Sequence, residues 1–429
     1  MWVRKQIDIN WTDLVFGIGR SICSRDRESV QQALERAWSV DEDGASDAFA
    51  CLSIRTGFDL LLDRLGWPPG SELLMSAVTI GDMVRIVEHH DLVPVPVDLD
   101  VRTLAPKLDA IRRAITPKTK AIVVAHLFGS RVPMEPIMAI AREHGLMVIE
   151  DCAQAFEGDG YRGHEDADVS MFSFGPIKTA TALGGAILRV RDRAMLEQMQ
   201  ARYREYPAQS RTSYCLRLLK FGGIKILSTR WFLGAVAKVS RWIGRDHDGL
   251  ASHVARGFAG PGFFDRIRKQ PAAPLLAMIQ RQIRNCTQQK IELRASRGRL
   301  LIELLNGSVV RPGAGAEHHS HWVFPILVDE PRKLMEELWR AGFDATQGQS
   351  HCVVDPLNDG DGLVARDAHC MVAQTVFLPF STLMTPTCLE RMAEIVRAEC
   401  PRPFVMSTEH GDASHTDSDQ TAVAGPSHS

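Results

Sequence analysis

From about residue 27 to residue 200 the chain alternates amphipathic helical patterns with short β-branched runs. Tight hairpins cannot join parallel strands, so this rhythm specifies an α/β fold: a largely parallel sheet covered by helices. Strands are expected over 72–75, 93–97, 121–125, 147–150, 169–172 and 185–189. Helices are expected over 56–65, 81–89, 104–114 and 133–144, the last ending at Gly145, where glycine suits a C-cap. The chain has no internal repeat.

At about 150 residues per domain, 429 residues make two or three units. The alternation stops near residue 204 and a second unit begins near Ala272. It reads as a long helix over 275–305, a strand over 321–328, a helix over 331–341, a strand near Phe377 and a final helix over 387–399. The expected organisation is an N-terminal arm (1–26), a large domain (27–203), an inserted basic helical segment (204–271), a smaller C-terminal α+β domain (272–405) and a disordered polar tail (406–429). With 50 Lys and Arg against 52 Asp and Glu, the net charge of −2 excludes a globally basic polyanion binder, and no nucleic-acid partner is expected. No stretch has the apolar length of a transmembrane helix, and the first residues lack the apolar run of a signal peptide. Nine cysteines without a CxxC pair fit a reducing, cytoplasmic compartment.

Val148-Ile-Glu-Asp-Cys-Ala-Gln154 is an apolar strand ending in two carboxylates. Such an ending places Asp151 at the carboxyl edge of the sheet, where open α/β folds bind ligands. Val169-Ser-Met-Phe-Ser-Phe-Gly-Pro-Ile-Lys178 is a second strand whose following loop carries a lysine to the same crevice, ahead of Gly184-Gly185. A lysine and a carboxylate in this relation suit pyridoxal phosphate: the lysine forms the Schiff base, and the carboxylate keeps the pyridine nitrogen protonated. Standing alone, a lysine at a strand end is a solvated surface group.

HLFG at 126–129, EDCAQ at 150–154, SFGPIK at 173–178 and GG at 184–185 together resemble the DegT/StrS-type aminotransferases. The likeness runs from about Ser53 to Pro379 and implies a fold-type I pyridoxal-phosphate-dependent transferase with its sites at a homodimer interface. By position, Lys178 would be the Schiff-base lysine and proton shuttle, and Asp151 the partner of the pyridinium nitrogen. Gln154 would face the ring and its phenolic oxygen, and Ser173 would bind the phosphate. The family's Ser-Gly-Thr turn under the phosphate is replaced by Ser53-Ile54-Arg55, followed by Thr56-Gly57, with Arg55 and Thr56 as further cofactor-binding candidates. Ile80 stands where the family places an aromatic over the ring, and the usual Asn and Arg motif is not evident near Cys286.

Among the histidines, His126 reads as a structural hydrogen-bonding group. His318, His319 and His321 with His351 and Cys352 read as a surface loop followed by a strand, not as a metal centre, and no metal is expected. His351 is a candidate pocket residue.

Residues 214–245 carry seven basic side chains and no acidic one, interleaved with aromatic and aliphatic residues. Phe232, Val236, Val239 and Ile243 share one helical face, while Lys238, Arg241 and Arg245 share another. Gly222-Gly223 is a place for a break or bend. A helix of this kind lies in the interface of an anionic membrane, or packs on the large domain or a dimer partner with its cations solvated. The resemblance implies an aminotransferase moving an amino group from an amino acid such as glutamate to a keto sugar, usually nucleotide-linked, for surface glycan or secondary-metabolite synthesis. The protein is expected in the cytoplasm, and the basic run 214–245 adds the expectation of peripheral contact with the inner membrane face and a lipid-linked or membrane-proximal acceptor. The alternatives are a sugar dehydratase of the same family, which carries His where this chain has Lys178, and a catalytically idle sensor or scaffold.

Overall fold

The protein is described by a computed structural model covering residues 2, 7–23, 26–39, 46–227, 262–348, 350–356, 363–402 and 404. Two helices, α1 (Trp11–Ile22) and α2 (Arg27–Trp38), precede β1 (Ala48–Cys51) and α3 (Ile54–Leu65). There follow β2 (Glu72–Ser76), β3 (Val78–Thr79), α4 (Gly81–His89), β4 (Val93–Val97), α5 (Leu108–Ala114), β5 (Thr119–Ala125), β6 (Ser130–Arg131), α6 (Glu135–His144), β7 (Met147–Asp151), β8 (Val169–Ser173), β9 (Ala186–Val190) and α7 (Arg193–Tyr203). After α8 (Arg211–Leu227) come α9 (Phe263–Ile267), α10 (Ala273–Asn285), α11 (Gln288–Leu305), β10 (His318–His319), β11 (Phe324–Leu327), α12 (Pro331–Arg340), β12 (Cys352–Val353), α13 (Arg366–Gln374), β13 (Thr375–Leu378) and α14 (Pro386–Glu399).

Seven strands form the central sheet in the order β1-β9-β8-β7-β5-β2-β4. Strands β4, β2, β5, β7 and β8 run parallel, while β9 is antiparallel to both β8 and β1. The two reversals return β1 to the direction of β8, which brings the carboxyl ends of β1, β2, β5, β7 and β8 to one edge. Side chains alternate between the faces of a strand. On one face Leu73, Val123, Ile149, Met171 and Leu188 pack with Phe58 and Leu61 of α3. On the other, Ile122, Val124 and Val148 pack with Ile137 and Ile140 of α6, and Ala50, Phe172 and Ile187 pack with residues of α1, α8 and α10. Each fully buried Leu, Ile or Phe contributes about 1.5–3 kcal/mol. A separate core closes over β11 and β13, with Leu301, Leu338 and Val396 from α11, α12 and α14.

Several element ends move for local reasons. Gly145 caps α6 in the left-handed conformation (φ 63°), as its sequence position implies. The expected helix over 275–305 is two helices, because Cys286 and Thr287 leave helical geometry and Thr287 serves as the N-cap of α11. The expected strand over 321–328 begins at Phe324, since His321 adopts φ 51°. The helix expected from residue 104 starts at Leu108, because Leu104 has φ 61° and Pro106 follows. Gly222-Gly223 does not interrupt α8, whose Tyr214, Leu218 and Phe221 are buried against α1 and α10. The amphipathic pattern over 232–243 and the tail over 406–429 lie outside the described residues.

Candidate active site

The shared edge delivers Ser53 after β1, Asp151 at the end of β7 and Ser173 at the end of β8 to one crevice. The two adjacent carboxylates part company by strand alternation. Asp151 lies on the face that Ile149 shares with α3, and Glu150 lies on the opposite face. Glu150 is fully buried and accepts from Tyr161 Oη (2.9 Å), the His164 amide (2.7 Å) and Ser170 Oγ (3.0 Å). His126 Nδ1 accepts from the Val132 amide at 2.9 Å, so its Nε2 carries the proton and donates to Glu150 at 2.9 Å. Burial alone would raise the Glu150 carboxyl, but the His126 contact and these bonds outweigh it and hold it at about 2. His126 and Glu150 are therefore a structural pair. Asp151 accepts one bond, from the Ala153 amide to Oδ1 at 3.0 Å, and its carboxyl is raised by burial, opposed by that amide and by Lys178.

The segment from Phe174 to Gly185 is knotted on itself and on β1. Phe174 donates to the Gly185 carbonyl (3.0 Å), Ala182 and Gly184 both donate to Phe174 O (3.0 Å each), and Gly185 donates to Leu52 O (2.9 Å). Ala180 and Leu183 hold φ of 53° and 62°, unusual for residues with a Cβ and typical of backbone strain stored beside functional groups. Helix α8 braces the knot from behind, with Tyr214 Oη donating to Ala182 O (2.8 Å) and Arg217 Nη1 to Leu183 O (3.1 Å). The loop fixes Lys178, whose amide donates to Gly175 O and whose Nζ lies 4.5 Å from the centre of the Trp322 ring. Burial pushes the Lys178 ammonium down to about 8, against the pull of Asp151 and helped by Arg55. Lys178 and Asp151 thus feel each other, yet they form no direct ion pair.

The other anticipated residues divide. Gln154 Oε1 accepts from the Phe128 amide at 2.7 Å, where Phe128 adopts φ 60°. Ser173 Oγ lies half-buried, 3.4 Å from the Gly175 amide. Ser53 caps α3 through the Thr56 amide (3.2 Å), presenting the positive end of that helix to the crevice. Arg55 sits in the first turn with its Nε on Asp82 of α4, and Ile80 is the half-buried N-cap of α4. Thr56 differs: it is fully buried and its hydroxyl donates to Ile267 O at 2.8 Å, because α9 packs against α3 there, so its side chain is tied away from the crevice.

Two residues escaped sequence reasoning. Trp322, under Lys178, donates its Nε1 to Ile177 O at 3.1 Å. Arg294 of α11 donates from Nη1 to Thr179 Oγ1 (3.1 Å) and from Nε to Ser320 O (2.9 Å), tying the residue after Lys178 to the segment that carries Trp322. Its Nη2 is buried without a partner. Both lie more than 100 residues from Lys178 in sequence, and no local pattern marks them. The histidines disperse: His318 pairs with Glu157 (2.8 Å), His319 stacks on His321, and His351 packs between Phe128 and Phe377. Burial first, with neighbouring cations, pushes His319 down to about 3 and His321 to about 4. His318 also forms, with Glu157 and Asp159, a group close enough to share an ion, but Arg131 already neutralises Asp159 at 2.7 Å.

Residues 31–397 match the DegT/DnrJ/EryC1/StrS aminotransferase family. The chain is 34% identical over 205 residues to a GDP-perosamine synthase from Caulobacter vibrioides, covering 46% of this chain and 51% of that protein. It is 38% identical over 157 residues to a UDP-N-acetyl-3-dehydro-alpha-D-glucosamine 3-aminotransferase from Acidithiobacillus ferrooxidans, covering 36% and 42%. The matched stretches thus span about half the length of these curated relatives or less. The fold is similar to that of the aminotransferase TlmJ from Streptoalloteichus hindustanus, with a TM-score of 0.68 at 18% identity, over 93% of this chain and 98% of that one.

Proposed function

The chain belongs to the DegT/DnrJ/EryC1/StrS aminotransferase family, and we propose on that basis that it moves an amino group from an amino acid, glutamate, to a ketone on a nucleotide- or lipid-linked keto sugar. The observation that carries the reading is the meeting of Lys178 and Asp151 at one edge of the sheet, with mutual electrostatic influence and no ion pair. A flat heteroaromatic ring would take its amine partner from Lys178 and its acid partner from Asp151. Pyridoxal phosphate, on which this family depends, would supply an electron sink for the carbanion formed at the amino-bearing carbon.

The chain's own residues do the rest. Lys178, whose ammonium burial lowers to about 8, releases and takes up a proton at the substrate carbon without a large driving-force mismatch at cellular pH. Asp151 keeps a proton on the ring nitrogen, with Ala153 orienting its carboxylate. Trp322 floors the space around Lys178 and excludes water beneath it. The N-terminal end of α3, with Ser53 as cap and Arg55 beside it, and Ser173 on β8 would hold the phosphate; Gln154 would lie against the ring, with Ile80 as apolar cover. Thr56 serves this site through the helix it anchors.

We also place the enzyme in the cytoplasm as a homodimer in peripheral contact with the inner membrane face, acting in surface glycan or secondary-metabolite synthesis. None of the helices among the described residues is long and apolar enough to cross a membrane. The reading is tested by adding glutamate to the protein loaded with pyridoxal phosphate: the visible band bleaches in the wild type, and Lys178→Ala abolishes or shifts the starting band. Loading without conversion by any amino donor would favour a sensor or scaffold; failure to load would end the enzyme reading.

A further inference from the structure

We propose that α1 and α8 together form a lipid-docking face that seats this protein on an anionic bilayer. The proposal extends the membrane-contact part of the reading above, and its assay contains no transamination step, so either can fail without the other.

Six of the eleven exposed large hydrophobic residues among the described ones lie on these two helices. Trp11, Val15 and Ile22 of α1, and Leu216, Leu219 and Ile226 of α8, are each between 50% and 74% exposed. Their spacings of four and seven, and of three and seven, put each trio on one helical face. For α8 this is a second apolar face, since Tyr214, Leu218 and Phe221 already fill the core on the other side. The two helices meet beside Trp11: a methyl group placed on Gly222 of α8 would lie 3.7 Å from Leu14 Cδ1 of α1 and 4.0 Å from Trp11 Cζ3. Exposed apolar faces on two packed helices are not left to water without a use.

Charge identifies the occupant. The run 214–245 has seven basic residues and no acidic one, with Lys220 exposed beside Leu219 and Arg230, Lys238, Arg241 and Arg245 in the sequence just beyond α8. The one acid on α1, Asp13, is buried and paired with Arg281 at 2.7 Å. An apolar, tryptophan-bearing face with the exposed Lys220 beside it, in a run of sequence that carries no acidic residue, matches the acyl boundary and headgroups of an anionic lipid surface. Because α8 also braces the loop of Lys178, docking here would hold that loop near the bilayer.

The test is flotation of the full-length protein with vesicles of phosphatidylcholine, alone or mixed with phosphatidylglycerol. The wild type should float with the mixed vesicles, less so at high salt, and not with phosphatidylcholine alone. Val15→Glu combined with Leu219→Glu should reduce partitioning at least about tenfold, the scale of withdrawing one large apolar side chain from lipid. Leu216→Gln with Ile226→Gln should give the same direction of loss, whereas Leu293→Glu, on an exposed site elsewhere, should give none. Absence of flotation, equal flotation of both double variants, or a wild-type dimer that these variants dissociate with flotation unchanged would each overturn the proposal.

Discussion

Glu150→Gln and Asp151→Asn, one residue apart, should have opposite consequences. Glu150 is fully buried, and its carboxyl falls from the ordinary 4.5 to about 2 in the folded protein. A gap of about 2.5 pH units, at about 1.4 kcal/mol each, gives roughly 3 kcal/mol of stability carried by the ionised form. A depressed carboxyl stabilises above its unfolded value, so this contribution is present above about pH 4.5 and is lost as the pH falls towards 2. Glutamine keeps the shape but offers one acceptor oxygen, so its NH2 group must face either Tyr161 and His126 or His164 and Ser170, which approach as donors. The expected cost is about 3 kcal/mol, read as a fall of roughly 5 °C in the thermal midpoint at neutral pH, with the visible cofactor band retained. Asp151→Asn should leave the midpoint unchanged or higher, because burial raises that carboxyl, while removing the anion that supports the Lys178 ammonium and the cofactor nitrogen. Its band should shift and its glutamate half-reaction fail. A stable Glu150→Gln protein that has lost the band, beside an unstable Asp151→Asn protein that keeps it, would refute the assignment of the two carboxylates.

Further outcomes follow from the same geometry. Arg294→Gln removes the ties to Thr179 and Ser320 and should cost about 1–3 kcal/mol in denaturant unfolding, with Arg294→Lys restoring part of it; an unchanged midpoint would mean that these ties contribute nothing to stability. Gly163→Ala places a Cβ 1.9 Å from Ser170 Oγ at φ 93°, so it should cost at least about 2 kcal/mol in denaturant unfolding; an unchanged midpoint there would contradict the packing around Glu150. Arg55→Gln removes a cation that lowers Lys178, so the pH midpoint for acylation of Lys178 in the cofactor-free protein should rise.

Most of the central sheet was legible because short β-branched runs separated by helical patterns leave few alternatives. β1 was not, since Ala48-Phe-Ala-Cys51 has no β-branched residue; its strand character comes from pairing with β9. The break between α10 and α11 was hidden because both helices present apolar residues at compatible spacing, and only the Cys286-Thr287 backbone separates them. The motif runs brought Lys178, Asp151, Gln154 and Ser173 to notice, since each ends or follows a strand at the same edge. That Glu150 is the buried structural acid depends on His126, Tyr161, His164 and Ser170, which come from three different segments. Trp322 and Arg294 reach the lysine loop only through tertiary packing, and Thr56 is drawn away by Ile267, more than 200 residues distant.

The central claim is that Lys178 is the residue that carries pyridoxal phosphate. Borohydride reduction of the loaded protein, followed by peptide mass mapping, measures this directly. The account predicts a single stoichiometric phosphopyridoxyl label on the peptide containing Lys178, absent in Lys178→Ala; a stoichiometric label on any other lysine, or none, would contradict it.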